Sequence, residues 1–479
     1  MTDRAGDPGA ATTEPGVADV DAPLRSDRSV VLVVAILASF VASLDSSVVT
    51  VALPAIRHEL GGGLVVQQWT VDAYLITLGA LILVAGSMSD LFGRVRIVTW
   101  GLVVFGIASV ACAVAPDGVF LIVARAVQGV GGALITPSSL ALIVAAFRGG
   151  AQTRAIGTWT AWSSAAVIAG PVLGGLIVDG IGWRWIFVLT AIPIAVTIVL
   201  VRRITGDVRT PGPKHVDVVG AVLAVVGVGA VVLGLIEQER LGWGSPLVVT
   251  ALGVGAAALA SFVPWERRSR APLVPLALFR VRNFAVGNVA TLTIYGALGM
   301  MGFAVTLFVQ EVWDFPAWLA GLATLPPTIL LLLLSTSVGT WSGRLGPRVF
   351  MSAGPILGGI GALLMLAATS TPDYWSGILP GMLLLGFGLT LMVTPLTSTI
   401  LGSVPGTQAG VGSAVNNAIA RIASLVVVAL AGVVLGGEMS VAGFHRAVVT
   451  MAVLLVVGGI VCLVGIRNPA TREAGSDGA

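Results

Sequence analysis

Fourteen apolar stretches of membrane-spanning length follow one another along this chain, near residues 30–53, 68–88, 97–115, 119–143, 156–178, 185–201, 218–236, 246–264, 285–309, 318–340, 349–369, 377–399, 410–435 and 447–466. In hydrocarbon every backbone amide and carbonyl must be paired within the protein, and an apolar run of about 20 residues achieves this as a helix. The expected fold class is therefore an all-α integral membrane protein with 14 transmembrane helices. Composition agrees, with 56% apolar residues, 10% charged residues and 62 glycines, the profile of a chain solvated mostly by lipid. The net charge of +3 does not point to nucleic acid, because the arginines are strung between apolar stretches and gather on no single face. Cys112 and Cys462 each fall inside a span, where a thiol is an ordinary packing group, so neither a disulfide nor a metal site is expected.

Short polar breaks at 179–183 and 242–245 separate neighbouring spans. An even number of spans places both termini on one side of the bilayer. With the termini cytoplasmic, the inner loops hold fourteen arginines and Lys214, whereas the outer loops hold only Arg57, Arg184, Arg240 and Arg446. Basic residues in short loops stay inside, so cytoplasmic termini in the plasma membrane are expected. The longest polar connections, 202–217 and 265–284, bracket spans 7 and 8. The expected organisation is a disordered tail over 1–28, a six-helix bundle over 29–203, a linker region with two extra spans over 204–283, a second six-helix bundle over 284–467 and a tail over 468–479. An internal echo supports related halves: Gly86 and Gly93 end span 2, Gly339 and Gly346 end span 10, and an arginine follows each pair closely. Two such repeats suit a rocking-bundle transporter with its substrate near the midplane.

Two ionisable groups interrupt the apolar runs at depth. Asp45 lies eight residues before the end of the first run and Arg125 about six past the start of the fourth, so both fall roughly 9–12 Å below the outer surface. A buried charge loses solvation worth several kcal/mol, and by default marks an ion or substrate pathway. As neighbours the two would pair, offsetting part of that cost. Burial and an adjacent arginine act in opposite directions on a carboxyl group, so a small rearrangement would let it take or release a proton. A purely structural ion pair is the competing reading. Gln128 lies one turn from Arg125 and is expected to orient it or face the cavity.

Four segments are similar to motifs of the major facilitator superfamily, specifically its fourteen-helix drug:proton antiporter branch. They are Leu44-Asp45 through Leu53-Pro54 in span 1, Gly86 through Arg96 after span 2, Arg125 through Gly132 in span 4, and Gly170-Pro171-Val-Leu-Gly174-Gly175 in span 5. The resemblance implies proton and substrate coupling at Asp45 and proton transfer at Arg125. It also implies a cytoplasmic gate built from Gly86, Asp90, Gly93 and Arg94, and an antiporter motif at Gly170, Pro171, Gly174 and Gly175. Physically, Pro171 removes a backbone donor and the glycines allow close packing as helices move. Leu91 and Val95 stand where the family pattern is usually basic, and Ala166 where a glycine is common.

Trp162 and Tyr295 are further expected cavity residues, whereas Asp72 reads as interfacial and Arg421 as an arginine snorkelling toward the cytoplasm. The three histidines, His58, His215 and His445, lie in or beside loops, and no Gly-rich phosphate loop precedes Lys214, so neither an enzyme nor direct ATP coupling is indicated. The expected function is a monomeric proton-coupled antiporter, without cofactor, exporting lipophilic or cationic small molecules. The alternative is a dedicated exporter or proton-linked transporter of a single metabolite or natural product.

Overall fold

The computed structural model describes residues 27–207, 217–270, 272–405 and 408–468. The tails expected over 1–28 and 468–479 lie almost wholly outside these, as do Arg209, Lys214 and His215. Among the described residues fourteen helices are long and apolar enough to cross a membrane. They are α1 (Arg28–Leu60), α2 (Gly63–Phe92), α3 (Arg94–Ala113), α4 (Gly118–Ala146), α5 (Gly149–Ile181), α6 (Arg184–Val201), α7 (Val218–Leu241), α8 (Pro246–Arg268), α9 (Arg282–Glu311), α10 (Ala317–Leu345), α11 (Pro347–Ala367), α12 (Tyr374–Gly402), α13 (Gly410–Ala429) and α14 (Val441–Gly465). The face at which α1 begins and α14 ends is here the terminal face, and its opposite the far face.

Local chemistry sets the helix ends. At the two short breaks, Gly182 (φ 99°) and Gly242 (φ 79°) adopt backbone conformations that favour glycine. Asp117 caps α4 by accepting the Phe120 amide at 2.8 Å, and Ser440 caps α14 through the Gly443 amide at 3.1 Å. The first apolar run ends at Leu53, but α1 continues through Pro54 to Leu60. Its last turns are polar and project beyond the apolar layer, which the hydrophobic pattern alone does not reveal. α10 is interrupted at Thr324 and Leu325, where Pro326 and Pro327 open its second segment.

α7 and α8 pack as a hairpin beside the core. Asp217 accepts the Gly220 amide at 2.7 Å and the Trp265 indole at 2.8 Å, tying the start of α7 to the end of α8. Partial burial pushes the Asp217 carboxyl upward, but its hydrogen bonds from Gly220, Trp265 and Ser269 outweigh this and hold it below the ordinary range. On the core side the Trp69 indole of α2 donates to Glu237 of α7 at 3.2 Å.

The ties between the two halves gather toward the far face. Arg57 of α1 pairs with Glu311 of α9 at 2.8 Å, and Gln67 of α2 donates to the same carboxylate at 2.8 Å. Gln310 donates to the Val51 carbonyl at 3.2 Å. Asp179 at the end of α5 accepts the Ala317 and Trp318 amides at 3.1 and 3.0 Å, capping α10. Toward the terminal face the picture reverses. Thr153, Gly157 and Thr160 form an exposed stripe on α5, and Thr336, Thr340 and Gly343 form another on α10, with open space before Gly157 and Gly343. No neighbouring helix covers these stripes. The molecule is thus closed at its far face and open toward its terminal face.

Candidate coupling and substrate site

Asp45 and Arg125 meet in the first six helices. The Arg125 Nη1 donates to Asp45 Oδ2 at 2.7 Å and to Gln128 Oε1 at 2.5 Å, while Gln128 Nε2 donates to Asp45 Oδ1 at 2.9 Å. Gln128 also donates to Ser109 of α3 at 2.9 Å, and Arg125 Nε donates to the Thr70 carbonyl of α2 at 3.0 Å. Four helices therefore converge on one charge pair. Its members are sealed, with Asp45 and Arg125 each 1% exposed and Gln128 fully buried. The guanidinium lies over the Tyr74 ring at 4.4 Å, a cation–π contact that strengthens in the absence of water.

Glycines make this convergence possible. A Cβ at Gly131 would come within 2.6 Å of the Phe105 amide nitrogen, and one at Gly132 within 2.9 Å of the Tyr74 hydroxyl. The glycine run after Arg125 thus lets α4 lie directly against α2 and α3. The α5 motif divides its contacts. Gly170 and Gly174 face Ser47 and Val48 of α1, whereas Gly175 faces the backbone of Ala317 and Trp318 in the other half. Gly321 reciprocates against the Pro171 carbonyl.

The turn after α2 is held by groups outside its motif. Gly93 has φ 105°, Asp90 pairs with Arg94 at 3.4 Å, and Arg94 donates to the Ala141 carbonyl of α4 at 3.0 Å. Asp207, beyond the end of α6, accepts the Val95 and Arg96 amides at 3.0 and 3.3 Å and so caps α3. The second half repeats this device: Gly346 has φ 84°, and Asn468 beyond α14 accepts the Arg348 amide at 3.1 Å. Gly86 makes no close approach, since a Cβ there would lie 4.0 Å from Pro137. Asp207→Ala is expected to lower stability by about 0.5–2 kcal/mol, the usual cost of a lost helix cap, measured as thermal unfolding in detergent.

Next to the charge pair lies a central cavity of about 250 Å³, lined by residues that include Ser46, Thr50, Tyr74, Arg125, Arg421 and Ser424. Four expectations change here. Arg421 lines this cavity instead of reaching toward the terminal face, because α13 continues far enough past it to place it near mid-span. Asp72 is fully buried and lies deep, nine residues into α2 and two past the Thr70 carbonyl that Arg125 bonds, and neither of its carboxylate oxygens has a hydrogen-bond partner among the described residues. Asp72 is therefore a second buried acid in the first six helices, beside Asp45. Trp162 does not line the cavity; it stands 53% exposed on α5, edge-on to Phe40 at 6.4 Å. Tyr295 is likewise absent from the lining, although its carbonyl accepts from the cavity residue Ser424 at 3.0 Å. Tyr74 is the aromatic residue that borders the cavity and touches Arg125. Ser109 and Asp207 were not singled out from sequence. A serine three residues before Cys112 on a strongly apolar helix was the available signal for Ser109, whereas nothing local marks Asp207.

The model of the major facilitator superfamily matches residues 35–428. The chain belongs to that superfamily. The multidrug resistance protein Stp of Mycobacterium tuberculosis is 34% identical over 402 residues, covering 84% of this chain and 74% of the relative. The cephamycin export protein CmcT of Amycolatopsis lactamdurans is 33% identical over 398 residues, covering 82% of each. A crystal structure of the peptide transporter POT superimposes with a TM-score of 0.68 at 15% identity, over 90% of this chain and 93% of that one, a likeness of fold alone. This superfamily member is a multi-pass membrane transporter of small molecules and not an enzyme, and its relatives mark it as a drug exporter.

Proposed function

We propose that this transporter is a proton-coupled antiporter that exports lipophilic small molecules across the plasma membrane, with Asp45 as its proton-carrying group. Both termini lie in the cytoplasm on this reading, so the arrangement open to the terminal face is the one that loads substrate. The observation that carries it is the sealed Asp45–Arg125–Gln128 cluster beside the central cavity. In the loading state Asp45 is paired with Arg125. Opening of the far face separates the pair, Asp45 takes a proton from outside, and substrate leaves; return delivers the proton inward. One charge moving through about 150 mV supplies roughly 3.5 kcal/mol, enough for two to three decades of concentration. The Asp90–Arg94 turn acts as the cytoplasmic gate, opening and closing with the ends of α2 and α3.

The charges that face the cavity do not favour the cationic substrates suggested by sequence. The dedicated-exporter alternative gains from CmcT, whose name specifies one compound class. Both versions share one test. In everted vesicles energised to an acidic interior, addition of a transported compound should release protons at a rate that saturates with that compound. Transport that saturates but moves no protons would sink the antiport reading.

A further inference from the structure

Arg421 is the cavity residue whose charge nothing answers. It lies on α13 about 17 Å along the axis from Gly410, its Cβ opposite Gly79 of α2 and its side chain in the cavity lining. Among the described residues it makes no ion pair and no hydrogen bond. The phenols of Tyr74 and Tyr295 both lie within its electrostatic reach. Arg125, the other lining arginine, is neutralised by Asp45 at 2.7 Å. Asp45 turns its carboxylate to Arg125 and Gln128 and does not line the cavity. No acidic side chain lines it at all. The cavity therefore holds one uncompensated guanidinium, hydroxyls at Ser46, Thr50 and Ser424, and apolar walls that include Leu75 and Phe303.

We infer that the cavity binds a lipophilic organic carboxylate, with the substrate anion pairing with Arg421. An unpaired guanidinium near mid-span is tolerated where water fills the cavity, and a carboxylate entering from the cytoplasm supplies the missing counter-charge. The planar guanidinium offers paired donors that match the two carboxylate oxygens, which an ammonium cannot reproduce as well. The apolar walls take the body of the molecule. This names the substrate class of the exporter proposed above and rests on that reading for the direction of movement only. It also has a consequence for energetics. An anion leaving while a proton enters both move positive charge inward, so a one-for-one exchange is driven by the membrane potential twice over, whereas exchange of a monocation is electrically neutral.

The test uses the purified full-length transporter in detergent and three probes with one aromatic body: 9-anthracenecarboxylate, its neutral carboxamide and cationic 9-(aminomethyl)anthracene. The carboxylate should bind at least about tenfold more tightly than the other two, and Arg421→Gln should erase that preference by weakening carboxylate binding far more than carboxamide binding. Arg421→Lys should restore part of it. Retained carboxamide binding and an unchanged unfolding temperature separate a lost anion contact from a misfolded protein. A wild-type preference for the amine, equal binding of the three probes, or a carboxylate preference that survives in Arg421→Gln would overturn the assignment. Binding in detergent needs no gradient, so proton coupling can fail in vesicles while this preference stands, and the reverse outcome is equally distinguishable.

Discussion

Asp45→Asn is expected to abolish proton-coupled export while leaving energy-independent exchange of substrate in place. The substitution keeps the size of the side chain and removes its capacity to carry a proton. Arg125 keeps its bonds to the Thr70 carbonyl at 3.0 Å and to Gln128 Oε1 at 2.5 Å, together with its place over the Tyr74 ring, so the helices around it remain positioned. What disappears is the coupling worth roughly 3.5 kcal/mol per proton, so the accumulation ratio should fall by about two to three decades. Counterflow between vesicles loaded with labelled and unlabelled substrate reads the carrier cycle without a gradient and should persist. Export by Asp45→Asn at the parental ratio, abolished by a protonophore, would move the coupling site elsewhere. Asp72, the other fully buried acid of the first half, would then be the place to look.

Arg125→Ala provides the complementary result. It strands the Asp45 carboxylate in a sealed site, and removal of one partner of a buried pair costs about 3–5 kcal/mol. This variant should therefore unfold at markedly lower temperature than Asp45→Asn, a difference that scanning calorimetry in detergent resolves.

Charge inside an apolar run made Asp45 and Arg125 visible in the sequence, and their similar depth suggested the pair. Both were legible because cost in lipid depends on residue type and depth, and these follow from helix rise. The facing direction of a side chain depends on which helices surround it, and that is where the sequence reading failed. Trp162 reads as a cavity residue, but it lies on the α1 side of α5, beside Phe40, opposite the Thr153–Thr160 stripe. Arg421 reads as belonging to the terminal face from its distance to the start of the helix, because the course of α13 beside Gly79 of α2 has no signature in the sequence. Asp72 looked interfacial because α2 was taken to begin at residue 68, whereas it begins at Gly63 and its first turns are covered by α7 and α13. Asp207 belongs to a third category. Its role as cap of α3 depends on the chain returning from α6 to a turn more than a hundred residues earlier, which no local pattern encodes.

Gly175→Leu is expected to drive the molecule away from its closed far face. Gly175 faces the backbone of Ala317 and Trp318, and Gly321 faces the Pro171 carbonyl in return, so two small residues allow α5 and α10 to touch where the halves meet. Backbone cannot withdraw as a flexible side chain can. Forcing a leucine into such a contact costs about 1–3 kcal/mol, and it is borne only in the state closed at the far face. The balance between far-open and far-closed arrangements should therefore shift by roughly 5–150-fold. A reporter cysteine at Met439, which lines a pocket at the closed far face with Arg57 and Glu311, should be labelled at least about fivefold faster by a membrane-impermeant maleimide in Gly175→Leu than in the Met439→Cys parent. The two native cysteines are buried and should add little background. Gly174→Ala supplies the contrast, because Gly174 meets Val48 within its own half; its strain is present in both arrangements and should lower stability without changing the labelling rate. Equal labelling of Gly175→Leu and the parent would mean that α5 and α10 separate too little during the cycle for this glycine to govern closure, and the far-face gate would then rest on the polar ties, Arg57–Glu311 and Gln67–Glu311 among them.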